Sequence, residues 1–207
     1  SEKLLIIHKP DHTKSRSQYL DLLRISIEED PRCPRNAFYY ARELSFVGDW
    51  DGAIRECKRY LDLPGATWAN ERCYAMRLMA KCYDAKGDAH TAETWYMQAA
   101  AEAPNTREPW CALALLMYMQ RRWEESYLYA TRALRITDKA LVYTCDPEVW
   151  GALPHDLASI AAWNLGLHDV SLKQSKLAVE KEPDNKRLVD NLAFVTAGVE
   201  SAKLAAE

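Results

Sequence analysis

The fold is decided by residues 73–104, CYAMRLMAKCYDAKGDAHTAETWYMQAAAEAP, which contain two helical patterns joined by Gly87-Asp88. Apolar residues recur at steps of three and four in the first pattern, and the second pattern keeps this spacing with small and aromatic residues. The positions are Met76, Met79, Ala80 and Tyr83 in the first helix and Ala92, Tyr96 and Ala99 in the second. Each predicted helix therefore has one apolar face, and neither helix can bury that face without a neighbour.

This pattern recurs along the chain in step with its turn residue. The turn positions are 39, 34 and 45 residues apart, and each is followed five places later by a small residue and then by a helix breaker. The turn residues are Gly48, Gly87, Arg121 and Gly166, the small residues are Ala53, Ala92, Ser126 and Ser171, and the breakers are Pro64, Pro104, Asp138 and Pro183, the first of these one residue out of register. Such self-similarity at about 34 residues resembles the tetratricopeptide repeat.

The resemblance implies an all-α protein, a right-handed solenoid of helix-turn-helix tetratricopeptide repeats. We interpret residues 1–14 as an extended lead-in, either the end of a preceding domain or a segment packed on the first helix. The repeat domain spans residues 15–207 and begins with a helical half-repeat. Four repeats follow at approximately 34–65, 71–104, 107–138 and 152–183, and a capping helix over 185–202 ends the stack. The longer gaps require insertions of five and eleven residues, the second of them within residues 137–151.

Composition excludes several classes of protein. The 207 residues are 48% hydrophobic, which indicates a packed structure, and the net charge of -3 with interspersed signs does not favour nucleic-acid binding. Neither an apolar run long enough for a membrane span nor a secretion signal is present, so a cytoplasmic protein is expected. Because residue 1 is serine, we expect the chain to be an excised or processed fragment. Six cysteines without C-x-x-C pairs favour reduced thiols over disulfides or a metal site.

A narrower resemblance rests on four segments of the sequence. They are RNAFYYAREL at residues 35–44, the Leu-Pro-Gly break followed by Trp68, AEAPNTREPW at residues 101–110, and the insertion that contains Trp150. Together they resemble the helical C-terminal region of bacterial family 2-type glycosyltransferases, in which repeats follow a nucleotide-sugar-binding catalytic domain. The chain departs from that family in having no α/β region. Asp49-Trp50-Asp51 has the letters of its metal motif but lies at a repeat turn, where we expect Asp49 to cap a helix.

The first helix of each repeat is expected to line the concave face of the stack. Helical spacing gives a groove that is basic at its N-terminal end and apolar and aromatic at its C-terminal end. Its principal residues are Arg35, Phe38, Arg42, Tyr74, Arg77, Lys81, Tyr118 and Trp163, with Phe46, Glu108, Cys111, Leu115, Asp156 and Ile160 as further positions. This surface suits an extended acidic and hydrophobic peptide or the flank of another domain. The alternative is that the arginines pair with local acids and that Tyr118 and Trp163 only pack.

The tryptophans fall into two groups by their position in the repeats, and two histidines have a spacing that could bind a metal ion. Trp50, Trp110 and Trp123 fall on packing positions. Trp68 and Trp150 lie in the insertions, where they either cover the exposed side of a neighbouring helix or contact a partner, another domain or a second copy in a homodimer. The four-residue spacing of His8 and His12 contains Pro10, which excludes a helical metal site. Metal ions and other cofactors are therefore not expected.

Catalysis by this chain alone is not expected, because no nucleophile has a credible base and no glycine-rich phosphate loop is present. The first hypothesis is a non-catalytic scaffold for protein–protein or interdomain contact, the C-terminal part of a glycosyltransferase-like protein. The second is a freestanding adaptor that binds an extended acidic and hydrophobic peptide in its groove, and the third is an enzyme built on the insertions. Chaperone-type capture of a C-terminal carboxylate is disfavoured, because Phe38, Arg42 and Leu78 occupy three positions where such domains carry Lys or Asn.

Overall fold

The structure, a computed structural model, describes residues 17–140 and 142–204. Within these ranges it contains ten α-helices, one 3-10 helix and no β-strand. The predicted lead-in over residues 1–14 lies outside the described residues. The helices are α1 (Ser17–Glu29), α2 (Pro34–Phe46), α3 (Trp50–Asp62), α4 (Ala69–Ala85), α5 (Ala89–Glu102), α6 (Arg107–Met119), α7 (Trp123–Leu134), the 3-10 helix Pro147–Trp150, α8 (Leu153–Asn164), α9 (His168–Lys181) and α10 (Lys186–Leu204).

The helices pack in the order in which they follow one another in the chain. Helices α2 to α9 form four consecutive pairs, each pair packs on the next, α1 packs on α2, and α10 packs on α9. The first helices of neighbouring pairs, α2, α4, α6 and α8, also contact one another in that order. This arrangement confirms the predicted helical solenoid. Within the described ranges, no helix combines the length and the apolar character that crossing a membrane requires.

The turn inside each pair has one backbone conformation. Gly48, Gly87 and Gly166 have φ angles of 80°, 82° and 74°, and Arg121 takes the same left-handed conformation with φ of 58°. Glycine adopts this conformation at no steric cost, whereas a side chain with a Cβ is strained there. The residue after the turn donates its N–H to the carbonyl five residues earlier, as Arg122 does to Met117 at 2.9 Å. Arg121 is therefore the structural equivalent of the three glycines, as the repeat pattern predicts.

A fully buried small residue lies five places after each turn. Ala53, Ala92, Ser126 and Ser171 have no exposed surface, so the small size at these positions reflects close packing of the second helix of each pair. The hydroxyl of Ser126 donates to the carbonyl of Ala114 at 2.9 Å, which pairs the buried polar group with the preceding helix. The periodicity that identified the repeats therefore marks one fully buried position in the second helix of each pair.

The tryptophans predicted to pack have two degrees of burial. Trp110 is buried, with a ring stacked 6.1 Å from that of Tyr129. Trp50 and Trp123 are half-buried, and Trp123 lies edge-on to Tyr118 at 6.0 Å. All three rings therefore pack between helices, but two of them reach the surface of the pair.

All six cysteines are free thiols in the structure, and the four within helices are buried. Burial raises the pKa of Cys82 to about 11 and that of Cys111 to about 12, and it raises the pKa of Cys57 further. Burial also raises the pKa of Cys73. Because the thiolate is the reactive form, these four side chains are protected from alkylation at neutral pH in the native protein.

The strained turn at Arg121 yields the first prediction. Replacing it by glycine (Arg121→Gly) should raise the free energy of unfolding by about 1 kcal/mol, because a left-handed conformation costs a residue with a Cβ roughly that much. Urea denaturation followed by circular dichroism measures the change.

Gly87→Ala is the matched control for this prediction. A Cβ at Gly87 would meet nothing within 4 Å, so its effect comes from the backbone alone. We expect Gly87→Ala to lower the free energy of unfolding by about 1 kcal/mol. If both variants were less stable than the wild type, strain at Arg121 would be ruled out.

Candidate functional site

The predicted groove residues are concentrated on two neighbouring helices. Helices α2 and α4 contact each other and carry six of the eight principal positions, whereas α6 and α8 carry one each. Arg35 and Lys81 are exposed, Arg42, Tyr74, Arg77, Tyr118 and Trp163 are half-buried, and Phe38 is buried. The structure therefore brings together the basic and aromatic N-terminal part of the predicted groove.

Phe38 forms the floor of this surface. It is 1% exposed, and its ring centroid lies 5.6 Å from those of Tyr39 and Tyr60 and 5.3 Å from that of Tyr74. The contact with Tyr60 comes from α3, the second helix of the same pair, which covers the ring from behind. Phe38 therefore supports Tyr39 and Tyr74, and in this arrangement almost none of its own surface is exposed.

Two arginines lie over the aromatic side chains of α2. The guanidinium of Arg42 lies 4.6 Å from the ring of Tyr39, and that of Arg35 lies 5.7 Å from the same ring. Arg42 is also 3.8 Å from the carboxylate of Glu43, a distance too long for a strong ion pair. Its Nε is buried and has no hydrogen-bond partner among the described residues. This part of the surface therefore combines positive charge with an aromatic ring.

Arg77 of α4 is held by the second insertion. Its guanidinium lies 5.1 Å from the ring of Tyr74 and donates to the main-chain carbonyl of Thr144 at 3.2 Å. The contact joins residues 67 positions apart in the sequence. The second insertion is therefore part of the site.

The strap, which we define as residues 138–146 without residue 141, contacts the first helices of three successive pairs. Tyr143 lies 6.3 Å from the ring of Phe38 on α2 and 5.4 Å from that of Trp68, the residue before α4, and its hydroxyl donates to Glu71 of α4. Further along, the N–H of Asp146 donates to the carboxylate of Glu108 on α6 at 3.1 Å. The strap therefore lies across the predicted groove, and its Tyr143 joins the two insertions.

Arg107 anchors the segments that flank the strap. Its guanidinium donates to the carbonyls of Ile136 at 2.7 Å and Val149 at 3.3 Å, and it lies 4.0 Å from the ring of Trp150. Burial lowers the pKa of Arg107. A single side chain at the start of α6 thus closes the insertion at its base. Sequence reasoning missed this role, because nothing in the local pattern distinguishes Arg107 from a solvated cation.

The space between the strap and the helices is small. The enclosed volume is about 20 Å³, and it is lined by residues that include Cys73, Arg77, Glu108 and Cys145. Such a volume holds about one water molecule. The strap is therefore packed on the helices, and in this arrangement no ligand fits beneath it.

The C-terminal part of the predicted groove is occupied by internal packing. Trp163 lies 4.5 Å from the ring of His168 and 5.2 Å from that of Phe194 on α10, and Tyr118 packs on Trp123. Of the further positions, Glu108, Cys111 and Asp156 are buried, Ile160 is half-buried, and Phe46 and Leu115 are exposed.

The two insertion tryptophans have different surroundings. Trp68 is 40% exposed and contacts Tyr143, whereas Trp150 is half-buried and packs against a core cluster that contains Trp110 and Val149. Trp150 therefore stabilises the base of the insertion, and Trp68 remains accessible to a partner.

Asp49-Trp50-Asp51 forms a helix start. The Asp49 carboxylate accepts the N–H of Gly52 at 2.9 Å, which confirms the predicted cap. Asp51 pairs instead with Lys86 at the next turn. Among the described residues, no three His, Cys, Asp or Glu side chains lie together in a way that could hold a metal ion.

Comparison with known proteins identifies the fold. No family model and no curated protein matches the chain. It is similar to the crystal structure of YrrB, a tetratricopeptide repeat protein with an unusual peptide-binding site, with a TM-score of 0.65 and 16% identity over 87% of this chain and 85% of YrrB. For MamA the TM-score is 0.64, with 17% identity over 84% of this chain and 86% of MamA.

A third similar structure is the C-terminal part of a tetratricopeptide repeat-containing protein from Cytophaga hutchinsonii. Its TM-score is 0.70, with 14% identity over 90% of this chain and 67% of that chain. At these identities the likeness concerns the fold alone. The chain therefore has the tetratricopeptide repeat fold that its sequence pattern predicts.

The anchor at Arg107 yields the second prediction. In a Cys33→Ser background, Arg107→Met should make Cys145 of the strap react with a thiol reagent about tenfold faster or more, because two charge-assisted hydrogen bonds are lost. Burial and the Glu108 carboxylate raise the pKa of Cys145, so release of the strap lowers that pKa and increases the thiolate fraction at pH 7.

Arg132→Met is the matched control. Arg132 also lies 4.0 Å from an indole ring, that of Trp110, and none of its observed contacts involves the strap. We expect the Cys145 rate to stay at the wild-type value. Equal rates in the two arginine variants, measured by mass spectrometry of alkylated peptides, would show that Arg107 does not hold the strap.

Proposed function

We propose that this chain is a non-catalytic repeat scaffold that binds a partner protein on the face formed by α2 and α4. The observation that carries the proposal is the pair Arg35 and Arg42, whose guanidinium groups share the ring of Tyr39. The nearest carboxylate to Arg42 among the described residues, that of Glu43, lies 3.8 Å away, so the positive charge of this pair is only weakly offset. The likeness to YrrB, a repeat protein with a peptide-binding site, supports a binding role for this fold.

The chemistry of this face indicates an acidic and partly hydrophobic ligand. Guanidinium groups bind carboxylates through two parallel hydrogen bonds, and Tyr39 and Tyr74 provide half-buried aromatic surface beside them. Exposed Lys81 extends the positive charge along α4. Arg77 contributes through the strap, since its guanidinium already donates to Thr144.

The partner is either a separate protein or a domain of the same polypeptide. The resemblance of RNAFYYAREL and AEAPNTREPW to the helical region of family 2-type glycosyltransferases supports the second version, in which the scaffold holds a nucleotide-sugar-binding catalytic domain. Exposed Trp68 provides a hydrophobic contact for either partner, or for a second copy of the chain.

The reading frame upstream of Ser1 tests the glycosyltransferase version. We expect it to continue into an α/β domain with an acidic metal motif, because the repeats follow such a domain in the proteins that the four segments resemble. Sequencing the gene on the 5′ side is sufficient. A start codon immediately upstream would exclude this version and leave the freestanding adaptor.

Charge removal at Arg35 and Arg42 tests the binding face. The probes are peptides selected by phage display on the immobilised wild-type protein, from a library of acidic and aromatic sequences. Their affinity for the Arg35→Glu/Arg42→Gln variant should be at least about tenfold lower than for the wild type. The reason is that one hydrogen bond to a charged group contributes at least about 1.5 kcal/mol. Fluorescence polarisation measures the affinities, and Gln at residue 42 avoids a new carboxylate beside Glu43.

Lys173→Glu/Lys176→Gln is the matched control, because both lysines are exposed on α9 and the change in charge is the same. Its affinities should equal those of the wild type, and both variants should keep the wild-type melting temperature. Equal weakening by the two pairs would mean that binding follows net charge and does not use the face of α2 and α4.

A further inference from the structure

We infer that Phe38, Trp68 and Glu71 form a tyrosine subsite of the binding face, and that Tyr143 of the strap fills it in the unbound protein. The ligand of this subsite is a tyrosine at the tip of a β-turn, presented by a loop of the partner protein. The inference rests on the proposed function, because it specifies which segment of a partner the scaffold recognises.

Tyr143 is presented by a turn. The N–H of Cys145 donates to the carbonyl of Val142 at 3.0 Å, which places Tyr143 and Thr144 at the two central positions of a β-turn. The segment that occupies this surface is therefore a turn, whereas the sequence analysis expected an extended peptide. A partner segment that takes its place needs the same compact shape.

The subsite contacts both ends of the tyrosine side chain. The ring lies 5.4 Å from that of Trp68 at 56° and 6.3 Å from that of Phe38 at 69°, geometries that are favourable for aromatic pairs. The hydroxyl donates to one oxygen of Glu71, while the other oxygen accepts the hydroxyl of buried Tyr60 at 2.8 Å. Because Tyr60 fixes the carboxylate, the subsite distinguishes tyrosine from phenylalanine.

Two neighbouring hydrogen bonds hold the main chain of the strap. Arg77 donates to the carbonyl of Thr144, and Glu108 accepts the N–H of Asp146. Any turn of the same shape offers these two groups whatever its side chains are. Recognition of side-chain identity is therefore expected at Tyr143 and at Thr144, which is 5% exposed.

The occupant can leave without disrupting the core. Tyr143 is 52% exposed although its ring contacts two aromatic side chains, so about half of its surface is already in contact with solvent. Arg107 holds Ile136 and Val149, which lie outside the turn, so the base of the insertion stays closed when the turn lifts. A tethered occupant competes at an effective concentration on the order of millimolar, which weakens any external ligand.

A turn peptide added in trans tests this inference. The probe is a fluorescein-labelled cyclic peptide with the sequence of residues 140–147 and the change Cys145→Ser. It should bind the Tyr143→Ala protein at least about tenfold more tightly than the wild type, because the tethered competitor has lost its ring. Tyr19→Ala is the matched control, since Tyr19 is an exposed tyrosine on α1, and it should behave as the wild type does.

Changes in the peptide and in the subsite test its specificity. On the Tyr143→Ala protein, phenylalanine in place of the peptide's tyrosine should weaken binding about fivefold, and alanine should weaken it further. Adding Trp68→Ala to the protein should reduce affinity for the tyrosine peptide roughly fivefold. Circular dichroism confirms that each variant keeps the wild-type helix content.

Two results would overturn the inference. One is equal affinity of the peptide for the wild-type and Tyr143→Ala proteins, including absence of binding to both. The other is equal affinity of the Tyr143→Ala protein for the tyrosine and alanine peptides. In either case the proposed function stands if display-selected peptides remain sensitive to Arg35 and Arg42, and it falls with the inference if they do not.

Discussion

Each helix pair of this protein buries its apolar face only by packing on the next pair, and the rest of the structure depends on that constraint. Ala53, Ala92, Ser126 and Ser171, one in each pair, have no exposed surface. A left-handed turn five residues earlier sets the angle at which each second helix returns. Because these two features recur, the first helices α2, α4, α6 and α8 come together on one face, and this face is where the basic and aromatic residues collect.

The binding face is shaped as much by the insertions as by the repeats. Tyr143 of the second insertion contacts Trp68, which the first insertion carries, so the two departures from the repeat period meet in space. Electrostatics hold the arrangement: Arg77 and Arg107 donate to main-chain carbonyls, and Glu108 accepts a main-chain N–H. The charged residues on this face thus differ in their contacts, since Arg77 and Glu108 hold the strap while Arg35 and Arg42 lie over the ring of Tyr39.

Local periodicity was sufficient to predict the solenoid, the equivalence of Arg121 with the turn glycines, and the cap at Asp49, because each depends on residues close in sequence. Helical spacing also placed Arg35, Arg42 and Arg77 on one surface. Helical spacing could not predict how deeply each side chain is buried. Phe38 lies on the expected helix but is covered by Tyr60 from the second helix of the same pair. The path of the strap was not predictable, since the contact of Tyr143 with Phe38 joins an aperiodic segment to a helix three pairs away, and only the folded stack brings them together.

Both ends of the second insertion are held at a single place on the helix stack, its base. Arg107 holds Ile136 and Val149 side by side, so whatever chain lies between them begins and ends at one fixed place on the scaffold. The segment between these two residues can change in length or sequence while the helix pairs on either side keep their packing. This segment is therefore a place where protein engineers can graft new sequences while its two ends stay fixed on the scaffold.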